Sequence, residues 1–176
     1  MATRLIDRPA ADEHAPYYEK YVARVPDGDL ISVLREQAEQ TTALLRGVAP
    51  ERENFAYAPE KWSIKEVLGH IIDTERVMTY RALRISRADT TPLASFDEKV
   101  FVANSNFARR TLADLVEEFQ VVRAATVHLA KHLDPEMLTR RGTASGNPVT
   151  VRALLYIVAG HERHHTQLVR ERYLSQ

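Results

Sequence analysis

The chain has 176 residues, with Lys+Arg 24 balanced by Asp+Glu 24; this length suits one domain with a proper core, and the balanced charge offers no global field to nucleic acid or an anionic membrane. Cysteine is absent, which removes disulfides, thiolate nucleophiles and Cys-type zinc sites together and leaves His and carboxylates as the strong ligands. No secretory apolar segment opens the chain and no apolar run approaches the roughly 20 residues that span a bilayer, so neither nucleic acid nor membrane is expected as a partner and a cytoplasmic location is the default.

Residues 1–27 carry Pro9, Pro16 and Pro26 with Tyr17, Tyr18 and Tyr21 between them. That composition predicts an extended or short-helical arm, packed by its aromatics on a domain covering 28–176. A first long helix is predicted from about Asp29 to Arg46, where Leu30, Val33, Leu34, Ala38, Thr41, Leu44 and Leu45 recur at helical spacing before Gly47 closes it. Trp62-Ser63-Ile64-Lys65-Glu66-Val67 reads as a helix start, with Ser63 and Glu66 as a capping box and Trp62 stapled onto Val67. The second helix then extends to about Ile85. From Ser86 to Arg110 the pattern breaks around Pro92, Asn104 and Asn106, with room for a short helical turn at Val100-Phe101-Val102.

Thr111-Leu112-Ala113-Asp114 opens a third helix, which carries Leu115, Phe119, Val122, Thr126, Leu129 and Leu133 on one stripe and stops before Pro135. After a loop at Thr143-Ala144-Ser145-Gly146-Asn147-Pro148, a fourth runs from about Thr150 to Tyr173. Four helices of roughly 18–24 residues make an all-α four-helix bundle. The connection between the second and third is about 25 residues, long enough to run back along the bundle, which favours an up-down-down-up order.

The fourth helix holds the chemistry, in His161-Glu162-Arg163-His164-His165. One turn separates His161 from His165, so both rings leave the same face with Cβ atoms about 5–6 Å apart, close enough to share a divalent ion. The string also matches H-E-x-x-H, in which the Glu serves as general base beside a zinc. However, no His follows His165 and Glu171 is the sole downstream carboxylate, so a third ligand is to be sought upstream.

Advancing 100° per residue from His161, Leu154, Ile157, Val158 and Leu168 bracket a buried stripe, and His165 falls inside it at about 40°. Unpartnered polar rings there would be costly. On the second helix His70 flanks a broad apolar arc of Ile64, Val67, Leu68, Ile71, Ile72 and Met78, in line with Thr74, Val77 and Arg81. That mixed flank is what a pocket wall requires, and Thr74 and Arg81 are taken as candidate contacts to a bound cofactor. His70 lies near the start of its helix and His165 near the end of the last, so antiparallel packing brings the three imidazoles into one layer. His128 and His132, another pair at the same spacing, lie away from the stripe of the third helix and read as surface.

Two acidic residues, Glu162 and Glu75, are the candidate catalytic groups, each with open readings. Glu162, at the edge of its stripe, is either a general base or a rim residue supporting the ligands. Glu75 falls inside an apolar arc, where an ionised carboxylate needs a partner such as Arg81 or the ring N–H of a ligand His. The segment from Phe96 to Arg110 either covers the site or is a packed crossover.

Trp62 through His70, Asp73-Thr74-Glu75-Arg76, Thr143 through Asn147 and Gly160 through His165, in this order and spacing, resemble the DinB-like superfamily, in particular the branch that includes YfiT-type proteins. The resemblance covers roughly Tyr21 to Leu174. It implies an up-down-down-up bundle, often a homodimer, with a divalent metal, commonly zinc or nickel, on three His that match His70, His161 and His165. Members include thiol S-transferases and isomerases that use bacillithiol or mycothiol, and proteins described as metal-dependent hydrolases. The expectation is therefore a metal-dependent enzyme acting on a small-molecule substrate, with a low-molecular-weight thiol or water as nucleophile. The competing reading is a non-catalytic small-ligand-binding or stress-related helical bundle.

Overall fold

The computed structural model describes residues 5–175. Its long helices are α2 (Leu30–Arg46), α3 (Ile64–Ser86), α5 (Leu112–Ala130) and α7 (Val151–Leu168); the short α1 (Glu19–Val22), α4 (Glu98–Ala103) and α6 (Pro135–Thr139) lie between or before them. Each long helix begins where a side chain satisfies its free amides. Asp29 accepts from Ile31 and Ser32, Ser63 and Glu66 form the reciprocal box, Thr111 accepts from Asp114, and Thr150 from Ala153. Trp62, ahead of the box, packs against the apolar cluster that contains Val67.

Side-chain bridges give the helix directions. Gln37 and Thr41 of α2 meet Ala159 and Glu162 of α7 in ascending order, so these two run parallel. Glu118 and Arg123 of α5 meet Arg76 and Glu75 at the middle of α3, while Lys65 at its start reaches the carbonyl of Arg110 just before α5, so these two also run parallel. The Tyr173 hydroxyl, beyond α7, bonds the Trp62 carbonyl ahead of α3, so α3 and α7 are antiparallel. Helices α2 and α3 face each other across the bundle, each packed on α5 and α7. This is the up-down-down-up four-helix bundle.

Two features depart from the predicted elements. The segment read as a loop at Thr143–Pro148 belongs to an antiparallel hairpin of β1 (Arg141–Ala144) and β2 (Asn147–Thr150). Its turn places Ser145 at φ 52° and Gly146 at φ 77°, the left-handed pair that two-residue hairpin turns require. Leu93 of the crossover pairs with the hairpin, donating to the Thr143 carbonyl and accepting from Ser145. The fourth helix is not uniform either: after Leu168 it continues as a π turn over Val169–Tyr173, which buries Tyr173.

The core falls into two apolar clusters, one built around Leu34, Met78, Val127 and Ile157, the other around Leu45, Ile72, Phe119 and Val169. Between them every long helix contributes buried polar groups: Gln37 and Thr41, Thr74 and Glu75, Arg123, and His161, Glu162 and His165. The functional groups occupy this middle layer.

Candidate metal centre

His161 and His165 leave α7 one turn apart, and His70 meets them from α3. The three ring centroids form a nearly equilateral triangle with sides of 4.7, 4.8 and 4.5 Å. One nitrogen from each ring lies within 4.8 Å of the others, and the Nε2 atoms of His70 and His161 are 2.9 Å apart. Ligand nitrogens on a tetrahedral zinc are about 3.3 Å apart for bonds of about 2.05 Å, so this triangle fits a divalent ion with small adjustment. His165 Nδ1 is buried with no partner, which is unusual for a polar atom that an ordinary core would satisfy.

Electrostatics prepares the same chemistry. Burial, reinforced by the neighbouring His164, pushes His70 down to about 4, and burial with the field of His70 pushes His165 down to about 3. His161 is held well below its usual range by burial and by His165 and His70. All three rings are therefore neutral near pH 7, with lone pairs available to a ligand without competition from protons. Apolar walls maintain this: the Trp62 ring is 4.8 Å from His70 and the Tyr21 ring 5.3 Å from His161. Tyr21 comes from the arm, which fits so closely that a Cβ on Gly160 would lie 1.9 Å from the Tyr21 carbonyl oxygen.

The acidic residues of the sequence reading lie elsewhere. Glu162 does not face the imidazoles. Its carboxylate accepts from Gln37 at 2.8 Å and Thr41 at 2.6 Å and pairs with Arg123 at 2.7 Å, so the H-E-x-x-H spacing does not deliver its usual base. Glu75 has a partner, but it is Arg123 and not Arg81 or a ligand ring: Nε and Nη2 of Arg123 reach its two oxygens at 2.9 and 2.8 Å. Arg123 was missed by the sequence reading, although it lies within the arc of α5 that buries Phe119 and Thr126. Two carboxylates on core-facing positions of α3 and α7 were the signal that a cation had to stand opposite. His128 and His132 are exposed, as expected.

Beside His70 and His161 a cavity of about 90 Å³ opens between α3, α7, the arm and the crossover. Thr74 and Met78 line it from α3, Tyr17, Tyr18 and Tyr21 from the arm, and Phe96 and Glu98 from the crossover. The Thr74 hydroxyl is buried without a partner. Arg81 stands behind Ser145 at the edge of this space, its Nη2 bonded to the Ser145 hydroxyl at 3.0 Å and the Ala94 carbonyl at 2.6 Å. Of the crossover, Phe96 and Glu98 face the cavity, whereas Phe107 packs on α3, where a Cβ at Gly69 would meet its ring at 2.3 Å.

The fold and this pocket define a helical-bundle protein with an all-imidazole candidate metal site. The chain belongs to the DinB superfamily, whose family model matches residues 34–169. No curated protein matches it in sequence. Among solved structures it is similar to YfiT from Bacillus subtilis, described as a probable metal-dependent hydrolase with an unusual four-helix bundle topology (16% identity, TM-score 0.73, covering 93% of this chain and 92% of that one). It is also similar to a mycothiol-dependent maleylpyruvate isomerase (12% identity, TM-score 0.67), covering 84% of this chain but only 62% of that one. A third likeness is to YjoA, a DinB-like protein from Bacillus subtilis (22% identity, TM-score 0.59, covering 85% of this chain and 93% of that one). These structural likenesses show a shared fold. No helix among the described residues is long and apolar enough to cross a membrane.

Proposed function

We propose that the protein is a metal-dependent enzyme in which His70, His161 and His165 hold one divalent ion, zinc or nickel, next to a small-molecule cavity. The observation that carries this is the buried triangle of neutral imidazoles bordering that cavity. An ion on three neutral ligands keeps its full charge and lowers the pKa of a water or thiol bound to it. The chain's own residues exclude bulk water with Trp62 and Tyr21 and orient what enters with Thr74 and the arm hydroxyls.

Between the two nucleophiles, the arrangement favours a low-molecular-weight thiol and an S-transferase-like reaction over hydrolysis. Activating water is aided by a carboxylate base, and the one that H-E-x-x-H spacing would supply, Glu162, is committed to Gln37, Thr41 and Arg123. A thiolate needs no such base once formed. With no cysteine of its own, the chain must borrow sulfur from a cofactor. A homodimer and a cytoplasmic setting belong to the same proposal; light scattering at micromolar concentration tests the first, a clean 20.0 kDa monomer counting against it.

The decisive experiment is elemental analysis of protein purified without an affinity tag, followed by assays on the metallated sample. About one divalent ion per chain is expected, lost in His70→Ala, His161→Ala or His165→Ala and kept in His128→Ala and His132→Ala. The metallated protein should speed conjugation of a small electrophile with a low-molecular-weight thiol. Cleavage of activated esters with a silent thiol panel would make it a hydrolase, and silence in both assays would leave a small-ligand-binding module.

A further inference from the structure

On the side of α7 turned away from the imidazoles, a cleft of about 320 Å³ lies between α2 and α7. Three guanidinium groups line it, those of Arg24, Arg163 and Arg170, and no acidic side chain does. Arg163 and Arg170 stand two turns apart on α7, about 10 Å along its axis. Arg24 reaches over from the arm and bonds Gln167 Oε1 at 2.8 Å, one turn from each of them, so its charge falls between theirs. That partner is neutral, and the guanidinium groups of Arg163 and Arg170 have no partner among the described residues. The acids close by in the chain are engaged or stand apart. Glu171 accepts from Gln167 Nε2 at 2.7 Å, Glu162 is buried and paired with Arg123, and Glu36, one turn ahead of Gln40, is exposed and outside the lining.

A second, separate observation lies on the α2 wall of the same cleft, which Gln37, Gln40 and Thr41 form. Gln37 is 4% exposed. Its Nε2 donates to the Ala159 carbonyl at 3.0 Å and to the Glu162 carboxylate at 2.8 Å, two acceptors that fix which end of the amide is nitrogen. Its Oε1 is left buried with no partner, which is exceptional for such an atom. The neighbouring Thr41 hydroxyl cannot serve it, because that proton already goes to Glu162 at 2.6 Å. The cleft therefore has a basic wall short of anions and, opposite, an acceptor short of a donor.

We propose that this cleft binds a soluble phosphomonoester that carries hydroxyl groups, its phosphate held among Arg24, Arg163 and Arg170 and one hydroxyl donating to Gln37 Oε1. Three positive charges without a carboxylate call for more than one negative charge, and guanidinium forks match pairs of phosphate oxygens. That favours a dianionic phosphate over a monocarboxylate. The hydroxyls of a sugar-like or glycerol-like body supply the donor that phosphate oxygens lack. The volume falls at the lower end of the roughly 300–1,000 Å³ of small-molecule sites. Because the cleft and the imidazoles occupy different faces of α7, the proposal stands independently of the metal reading.

The test is calorimetric titration of glycerol 3-phosphate and glucose 6-phosphate, with inorganic phosphate and glucose as controls, into the protein as purified and after chelation. At least one of the two esters should bind about tenfold more tightly than inorganic phosphate, glucose should not bind, and chelation should change nothing. Arg163→Gln and Arg170→Gln, which break no contact of the fold, should each weaken the ester about tenfold, the loss of a hydrogen bond to a charged group. Arg35→Gln and Arg46→Gln, on the side of α2 that faces α5, should leave it unchanged. Equal losses from both pairs of substitutions would mean diffuse attraction between charges and overturn the proposal. So would esters that bind no better than inorganic phosphate, since the Gln37 contact would then be absent. Binding that disappears on chelation and ignores the arginines would assign the phosphate to the ion, and capture by phosphatidate vesicles with no binding of the free esters would assign the basic wall to a lipid surface; either result overturns the site, as does no binding at all.

Discussion

Arg123 is 1% exposed and touches two carboxylates and the Leu34 carbonyl at once, tying α2, α3, α5 and α7 together. Removing it would leave two buried acids without a counter-ion, so Arg123→Leu should lower stability by about 3–5 kcal/mol in denaturant unfolding, whereas replacing Glu75, Arg123 and Glu162 together by apolar residues of similar volume should cost far less. The same geometry separates two roles for Glu162. As a structural ion-pair member it predicts that Glu162→Gln melts earlier but keeps metal and the rate per folded molecule; a base would lose the rate with stability intact. The candidate ligands were legible because helical period alone puts His161 and His165 on a buried face. The role of Glu162 was not, because one motif can place a carboxylate on either flank of its helix, and what stands on the facing helix decides which flank it serves. Arg123 escaped for a related reason: nothing within α5 itself explains a buried cation.

The arm is held on the bundle by a buried ion pair. Glu13, 4% exposed, accepts from Arg152 Nε at 2.7 Å and from the Thr150 hydroxyl at 2.8 Å, while its own backbone neighbour Ala10 donates to it at 3.0 Å. Arg152 beside it holds this carboxyl down at about 2, against 4.5 for the free side chain. A folded value below the unfolded one stabilises fully above about pH 4.5 and is lost as pH falls toward 2. The melting-temperature gap between the wild type and Glu13→Gln should therefore be widest near neutral pH and close at pH 2; a constant gap would show that the pair contributes no proton-linked stability. The arm's second anchor is steric. Gly160→Ala drives a methyl into the Tyr21 backbone, so the arm must shift at a cost of roughly 1–3 kcal/mol, read as early proteolysis near Tyr21. Proline and tyrosine content announced such an arm. Its docking partners were not legible, because Arg152 reads as a solvent-face residue until Glu13 is laid over it. The hairpin was hidden similarly: Ser145-Gly146 signals a turn, but strands as short as β1 and β2 carry no periodicity of their own, their register being set by the turn that joins them.

At the scale of the whole bundle, length, four capped amphipathic stripes and a long crossover were enough to read the topology, since loop length alone decides which helices can be antiparallel neighbours. The division of the core into two apolar clusters with a polar layer between was not read, because each helix contributes only one to three polar residues to that layer and the layer shows only when the four helices are set side by side. This division governs what the ion does for stability. A zinc finger unfolds without metal because ligation is its main folding free energy; here Leu34, Val127 and Ile157 on one side and Leu68, Phe119 and Tyr173 on the other pack without reference to the imidazoles. An ion bound only by the folded state still adds RT ln(1+[L]/Kd), about 4 kcal/mol at a thousandfold excess over Kd, or on the order of 10 °C for a chain of this size. Chelation should thus lower the melting temperature by about that amount yet leave the helical circular dichroism at room temperature nearly unchanged. The drop should vanish in His165→Ala, which has no ion to lose. Collapse of the helical signal on chelation would mean that the polar layer, and not the apolar clusters on either side of it, holds the four helices together.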